Sequence, residues 1–144
     1  MFLFINTADA KKIILVLLDR NGKILAEKEI LAEYKQAEKL LVGIENVLSK
    51  ICKKKMTAKR SCLKELQGII VVMGPGSFTA LRIGVTVANT LAFVLDVPVV
   101  GVKYMEGKQA IENGLKFLNK CSNCAKRKYV VPEYGREPHI TIPL

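Results

Sequence analysis

The residues that most constrain this fold are Gly68 to Met73, an apolar run rich in Ile and Val that breaks at Gly74-Pro75-Gly76. A short apolar run bounded by glycine and proline reads as a strand buried on both faces, and such strands belong to parallel sheets covered by helices. A helix is expected from about Thr79 to Leu95, with Ser77 or Thr79 as its N-cap. Val97 to Val102 is expected to be another buried strand. The whole stretch from Ile83 to Val102 is almost wholly apolar, but Asp96 and Pro98 interrupt it, which argues for a helix followed by a strand over one membrane-spanning helix.

Upstream, Phe2 to Thr7 and Ile13 to Leu18 read as strands. Asp19-Arg20-Asn21-Gly22 is a hairpin signal, and Lys23 to Glu29 is then a third strand, with Ile24, Ala26 and Lys28 on one face. From Glu33 the period changes. Leu40, Leu41, Ile44, Val47, Leu48 and Ile51 carry the spacing of an amphipathic helix. Glu106 to Leu118 is expected to be a further helix. Antiparallel strands followed by helix-linked parallel ones define a mixed five-stranded sheet with helices, an α/β single lobe of the actin-like, ribonuclease H-like half-domain type. The expected organisation is a lobe over 1–118, a basic linker over 119–130 and an extended proline-bearing tail over 131–144.

The chain of 144 residues has a formal net charge of +10 and no Trp. Lys50 to Lys64 holds seven basic residues and no acid, and Lys116 to Lys128 five more and no acid. Solvated loops are one reading of these runs. A footprint for RNA or an acidic protein is the other, with Lys53, Lys54, Lys55, Lys59 and Arg60 as RNA-contacting candidates. The aromatic strand signature of an RNA recognition motif is absent. The N-terminus lacks the marks of a secretory signal, so Cys52, Cys62, Cys121 and Cys124 are expected as reduced thiols in a cytoplasmic protein. Cys121-Ser122-Asn123-Cys124 is half of a zinc site. Cys52 and Cys62 lack matching spacing, so free thiols are favoured over metal, with Cys121 and Cys124 the weak metal candidates.

The turn at Gly74 is tested against nucleotide motifs. A phosphate-binding loop needs Lys after its last Gly, and Phe78 and Thr79 stand there. The dinucleotide fingerprint lacks its third Gly, and a serine elbow needs glycines two residues either side of Ser. The helix beyond carries two apolar stripes, Leu81-Val85-Ala88-Ala92-Leu95 and Ile83-Val87-Leu91-Val94. A helix over one sheet should bury only one. The second is covered either by the first helix and the tail or by a partner. Gly84, Ala88 and Ala92 at every fourth position permit close helix approach.

Gly74-Pro75-Gly76-Ser77-Phe78-Thr79-Ala80-Leu81-Arg82-Ile83-Gly84, preceded by its Ile/Val strand, resembles the signature of the TsaB family of threonylcarbamoyladenosine biosynthesis proteins. Ala80 replaces the usual Gly. The likeness continues through Val97-Pro98-Val99-Val100-Gly101-Val102, and Pro132-Glu133-Tyr134-Gly135-Arg136-Glu137-Pro138-His139-Ile140-Thr141 looks like the family's C-terminal end. The second lobe of typical members is absent between them.

The resemblance implies a non-catalytic relative of the enzyme TsaD that pairs with it through helices of the first lobe and self-pairs as a homodimer through the same surface. An ATP-hydrolysing third protein, TsaE, joins in many bacteria, and the complex modifies an adenosine beside the tRNA anticodon. The expected partner surface comprises Gly74, Pro75, Gly76, Ser77, Phe78, Thr79, Leu81, Arg82, Ile83, Val87, Leu91 and Val94, with Leu41 and Ile44 of the first helix. No catalytic residue and no cofactor are expected, ATP binding arising only with partners. The only His is His139, and Asn6 ends the first strand where relatives often keep Asp. An independent nucleotide-binding enzyme using the Gly74 turn and a direct tRNA-binding module using the basic loop are the alternatives.

Overall fold

In the computed structural model, residues 1–52, 59–106, 108–120 and 129–135 are described, the side chains of 59–61 excepted. Strands β1 (Phe2–Asn6), β2 (Lys12–Leu18) and β3 (Ile24–Leu31) precede helices α1 (Gln36–Cys52) and α2 (Lys59–Lys64). Strand β4 (Gly68–Gly74), helix α3 (Phe78–Leu95), strand β5 (Val99–Lys103) and helix α4 (Gln109–Lys120) follow. The sheet order is β3-β2-β1-β4-β5. β1 pairs antiparallel with β2 and parallel with β4, which pairs parallel with β5. This is the mixed five-stranded, actin-like arrangement expected.

Central position explains the apolar runs. β4 and β1 are bonded on both sides and covered on both faces, so nearly every side chain of each is buried. β3 lies at one edge and alternates, with Ile24, Ala26, Lys28 and Ile30 turned inward. β5 forms the other edge and is only partly buried, whereas the sequence suggests a fully buried strand. Its apolar content reflects one covered face rather than two.

The β2–β3 hairpin turns on Asp19. Its carbonyl accepts from the Gly22 N–H at 3.2 Å, and its Oδ1 accepts from the N–H groups of Asn21 and Lys23 at 2.8 and 2.9 Å. Gly22 alone in this turn has positive φ, at 85°. The turn is therefore of the type I plus left-handed glycine form rather than one with two positive angles.

Helices α1 and α3 lie on one face of the sheet and α4 on the other. The first core joins Leu3, Ile5, Leu15 and Ile69 to Leu40, Ile44, Val47, Val85 and Ala88. The second joins Phe4, Val16 and Ile70 to Ile111, Leu115 and Leu118. Helix α2 is a feature the sequence reading missed. Its six residues are too short to display a period, and they lie inside the lysine-rich run.

A turn, a docked tail and an apolar groove form the candidate functional site

The strand-end turn is built from three segments. Gly74 has φ of 137°, a value closed to side chains at ordinary cost, and its peptide bond to Pro75 is cis. The Gly74 carbonyl accepts from the Tyr104 N–H at 2.8 Å, tying the ends of β4 and β5. The Ser77 N–H donates to the Ala8 carbonyl at 2.8 Å, and the Ala8 N–H donates to Asn6 Oδ1 at 3.0 Å. Asn6, at the end of β1, thus spends its side chain on shaping the next loop. Ser77 is the N-cap of α3, without a side-chain cap bond, and Thr79 lies inside the helix.

The small residues of α3 also serve its approach to the sheet. Ala80, Gly84, Ala88 and Ala92 are all buried toward the sheet. The Gly84 position faces Thr7, where any Cβ would collide with the threonine side chain. Thr7 is itself buried and donates its hydroxyl to the Ala80 carbonyl at 2.8 Å. At Gly84 the stripe therefore brings α3 close to the end of β1. At the far end Asp96 takes a left-handed conformation, and the Val97 N–H returns to the Ala92 carbonyl at 3.0 Å, a Schellman-type stop. By length and composition α3 could cross a membrane; here it packs on the sheet with one face buried.

The described part of the tail, residues 129–135, lies against this turn and helix. Val130 is clamped by Asn89, and its side chain joins the first core. The Glu133 N–H donates to the Met73 carbonyl at 2.7 Å, and Glu133 pairs with Lys103 at 3.9 Å. Tyr134 stacks on Phe78 with ring centroids 4.0 Å apart, and the Arg82 guanidinium lies 5.6 Å from the Phe78 centroid. Asn89 was not singled out from sequence. An isolated amide in the middle of an apolar helix was the available signal.

The expected partner-facing residues divide. Leu81 is fully buried against the sheet, and Gly74 is buried in the turn, while Pro75, Gly76, Phe78, Thr79 and Arg82 are exposed and Ser77 is half-buried. Ile83, Val87 and Leu91 are half-buried and pack on the first core, so the second stripe is covered in part within the lobe. It is not covered at its end. Val94 and neighbouring Phe93 are 71% and 69% exposed, and Leu41 and Val42 on α1 are 54% and 55% exposed. Between α1, α2 and α3 lies an apolar groove of about 290 Å³. Leu41, Ile44, Leu48, Leu63 and Leu91 line it, together with Cys52 and Cys62.

Cys52 and Cys62 are joined as a disulfide, with Cα atoms 6.3 Å apart. This corrects the expectation that both are free thiols. Helix α2, absent from the sequence reading, folds back on α1 and brings the two together. Lys53, Lys54, Lys55, Cys121 and Cys124 lie outside the described residues, and Lys59 and Arg60 lie on α2 with side chains outside them. Among the described residues no group of three or more His, Cys, Asp or Glu is placed to hold a metal ion.

The lobe, its strand order and its Gly74 turn define a class, the actin-like half-domain. A family model for TsaD, tRNA N6-adenosine threonylcarbamoyltransferase, matches residues 32–115. The chain belongs to this family, as a TsaB-type member. It is 48% identical over 54 residues to the tRNA threonylcarbamoyladenosine biosynthesis protein TsaB of Bacillus subtilis (strain 168), a match spanning 38% of this chain and 23% of that one. It is 36% identical over 77 residues to the tRNA N6-adenosine threonylcarbamoyltransferase of Syntrophotalea carbinolica, 54% of this chain and 20% of the relative. YeaZ from Pseudomonas aeruginosa superposes with a TM-score of 0.56 at 26% identity, over 71% of this chain and 42% of YeaZ. The chain thus spans less than half the length of the relatives it matches.

Proposed function

We propose that this chain is a non-catalytic scaffold in tRNA threonylcarbamoyladenosine biosynthesis that pairs with a TsaD-type transferase through α1 and α3. The observation that carries the reading is the apolar groove lined by Leu41, Ile44, Leu48, Leu63 and Leu91, together with the exposed Val42, Phe93 and Val94 on the same two helices. Large apolar side chains gathered around one groove mark an interaction surface more than a solvated one. Family membership and the tRNA-modification names of the relatives select a TsaD-type protein as occupant. The same face serves a homodimer when the partner is missing; TsaE is a further partner, and ATP binding arises only in the complex.

Absence of chemistry in the chain is part of this reading, as is a cytoplasmic setting. Asn6 supports it, because an amide committed to the Ala8 N–H offers neither a general base nor a carboxylate for a metal-bound phosphate. The Gly74 turn then acts as a mount. It fixes the entry of α3 through Ser77 and Ala8, and so sets where Leu91 and Val94 stand.

The test is reconstitution of threonylcarbamoyl transfer with the TsaD-type protein and unmodified tRNA, with and without this chain. Activity that requires the chain supports the reading. Full activity without it would overturn the reading, and ATP turnover by the chain alone that is lost in Gly76→Asp would replace it with the enzymatic alternative.

A further inference from the structure

Lys50 and Lys64 are more than 50 residues from Lys116 and Lys120 in sequence, yet the topology carries these four to one end of the described structure. β1, β4 and β5 all begin there, with Phe2 opposite Gly68 and Ile69 opposite Val99. The β2–β3 hairpin turns there, because Leu18 pairs with Phe2. α4 ends there, since the Leu118 side chain lies at Gly68 and Phe2 does too. α2 also ends there. The Met1 ammonium donates to the Glu65 carbonyl at 3.2 Å and to Gln67 Oε1 at 3.4 Å, and Arg20 Nε donates to that same Oε1 at 2.9 Å. α1 joins them through the link from Cys52 to Cys62.

This end therefore holds Arg20, Lys23, Lys50, Lys64, Lys116 and Lys120 plus the terminal ammonium, against Asp19, Glu65 and Asp96. The opposite end, made among the described residues by 9–12, 29–39, 82, 103–106, 108–112 and 133, carries seven Lys or Arg and seven Asp or Glu. Among the described residues the excess positive charge thus gathers at one end. Lysines in the last turns of α1, α2 and α4 also complement the helix dipoles. That role leaves Arg20 and Lys23 unexplained, because they stand on a hairpin.

We infer that this basic end is a docking surface for the phosphodiester backbone of an RNA, through Arg20, Lys23, Lys64, Lys116 and Lys120. Cations on separate elements around the rim of a sheet suit a chain of phosphates, which they position without reading bases. An anionic membrane instead suits one amphipathic helix with its basic residues along a face, and here they sit at helix ends and on a turn. The names of the Bacillus subtilis and Syntrophotalea carbinolica relatives concern tRNA, which makes it the RNA to test. This surface is at the sheet end opposite the Gly74 turn, and its test uses the chain without any partner.

The experiment is fluorescence anisotropy with labelled unmodified tRNA at 50 and 200 mM salt. Five phosphate contacts give a log–log salt slope of about −4, hence roughly 250-fold weaker binding at the higher salt. The combined Arg20→Gln, Lys64→Gln, Lys116→Gln and Lys120→Gln variant should bind at least about tenfold more weakly, with a flatter slope. A matched control, Lys11→Gln, Lys12→Gln, Lys35→Gln and Lys39→Gln, should stay within about twofold, because its charges are balanced by neighbouring acids. Lys120→Gln alone, which touches no core contact, keeps the test open if the combined variant melts early. The inference is overturned by equal losses in both sets, by no loss in either, by a slope near zero, or by tighter binding to phosphatidylserine vesicles or an acidic protein than to tRNA. Failure of TsaD pairing would leave these outcomes untouched, so the two readings fail separately.

Discussion

The carboxamide of Asn89 closes a two-bond ring with the backbone of Val130. Nδ2 donates to the Val130 carbonyl at 2.8 Å, and the Val130 N–H donates to Oδ1 at 2.9 Å. A side chain on α3 thereby replaces a neighbouring strand for a segment 41 residues away. It holds the tail where Glu133 can reach Met73 and Tyr134 can reach Phe78.

Asn89→Ala removes both bonds and leaves the partly buried Val130 amide and carbonyl unpaired. The expected loss is about 2 kcal/mol in urea unfolding. Hydrogen exchange at Val130 should accelerate well beyond the effect on β4, whose bonds lie within the sheet. Equal acceleration at both places would show global loosening and no specific clamp.

Phe78 and Tyr134 tie the start of α3 to the tail. A double-mutant cycle of Phe78→Ala and Tyr134→Ala should return a coupling of about 1 kcal/mol, the usual worth of a stacked pair beyond its buried area. Additive losses would mean that the stacking contributes nothing.

Gly84→Ala places a methyl on Thr7, which cannot retreat because its hydroxyl holds the Ala80 carbonyl. Overpacking of this kind costs about 1–3 kcal/mol. Thermal unfolding should shift down by several degrees, whereas Thr86→Ala, an exposed site on the same helix, should scarcely move it.

Much of the lobe is legible in the residues because its signals are local. Ile and Val from Gly68 to Met73 report a strand covered twice, and the spacing from Leu40 to Ile51 reports a helix with one wet face. The remainder depends on distant pairs. Helix α2 is too short for a period, so the meeting of Cys52 with Cys62 is hidden as well. Gly84, Ala88 and Ala92 show that something approaches α3 closely, but a stripe of small residues does not say whether it is a helix or, as here, Thr7 on the end of β1. The second apolar stripe is resolved only by position along the helix: Ile83 and Val87 are covered by the lobe itself, and Val94 is left to solvent.

Introducing charge on the exposed apolar positions of α1 and α3 addresses the central claim most directly. Leu41→Asp and Val94→Asp both fall on exposed positions, so the pair should leave the melting temperature within a few degrees of the parent. In calorimetric titration against the TsaD-type transferase, the parent chain should give a saturable heat, and the double variant should bind at least about 100-fold more weakly, the scale expected when charges are buried unpaired in an apolar contact. A parent chain that gives no heat and elutes apart from the transferase, or a double variant that binds as tightly as the parent, would contradict the assignment of this face to the partner.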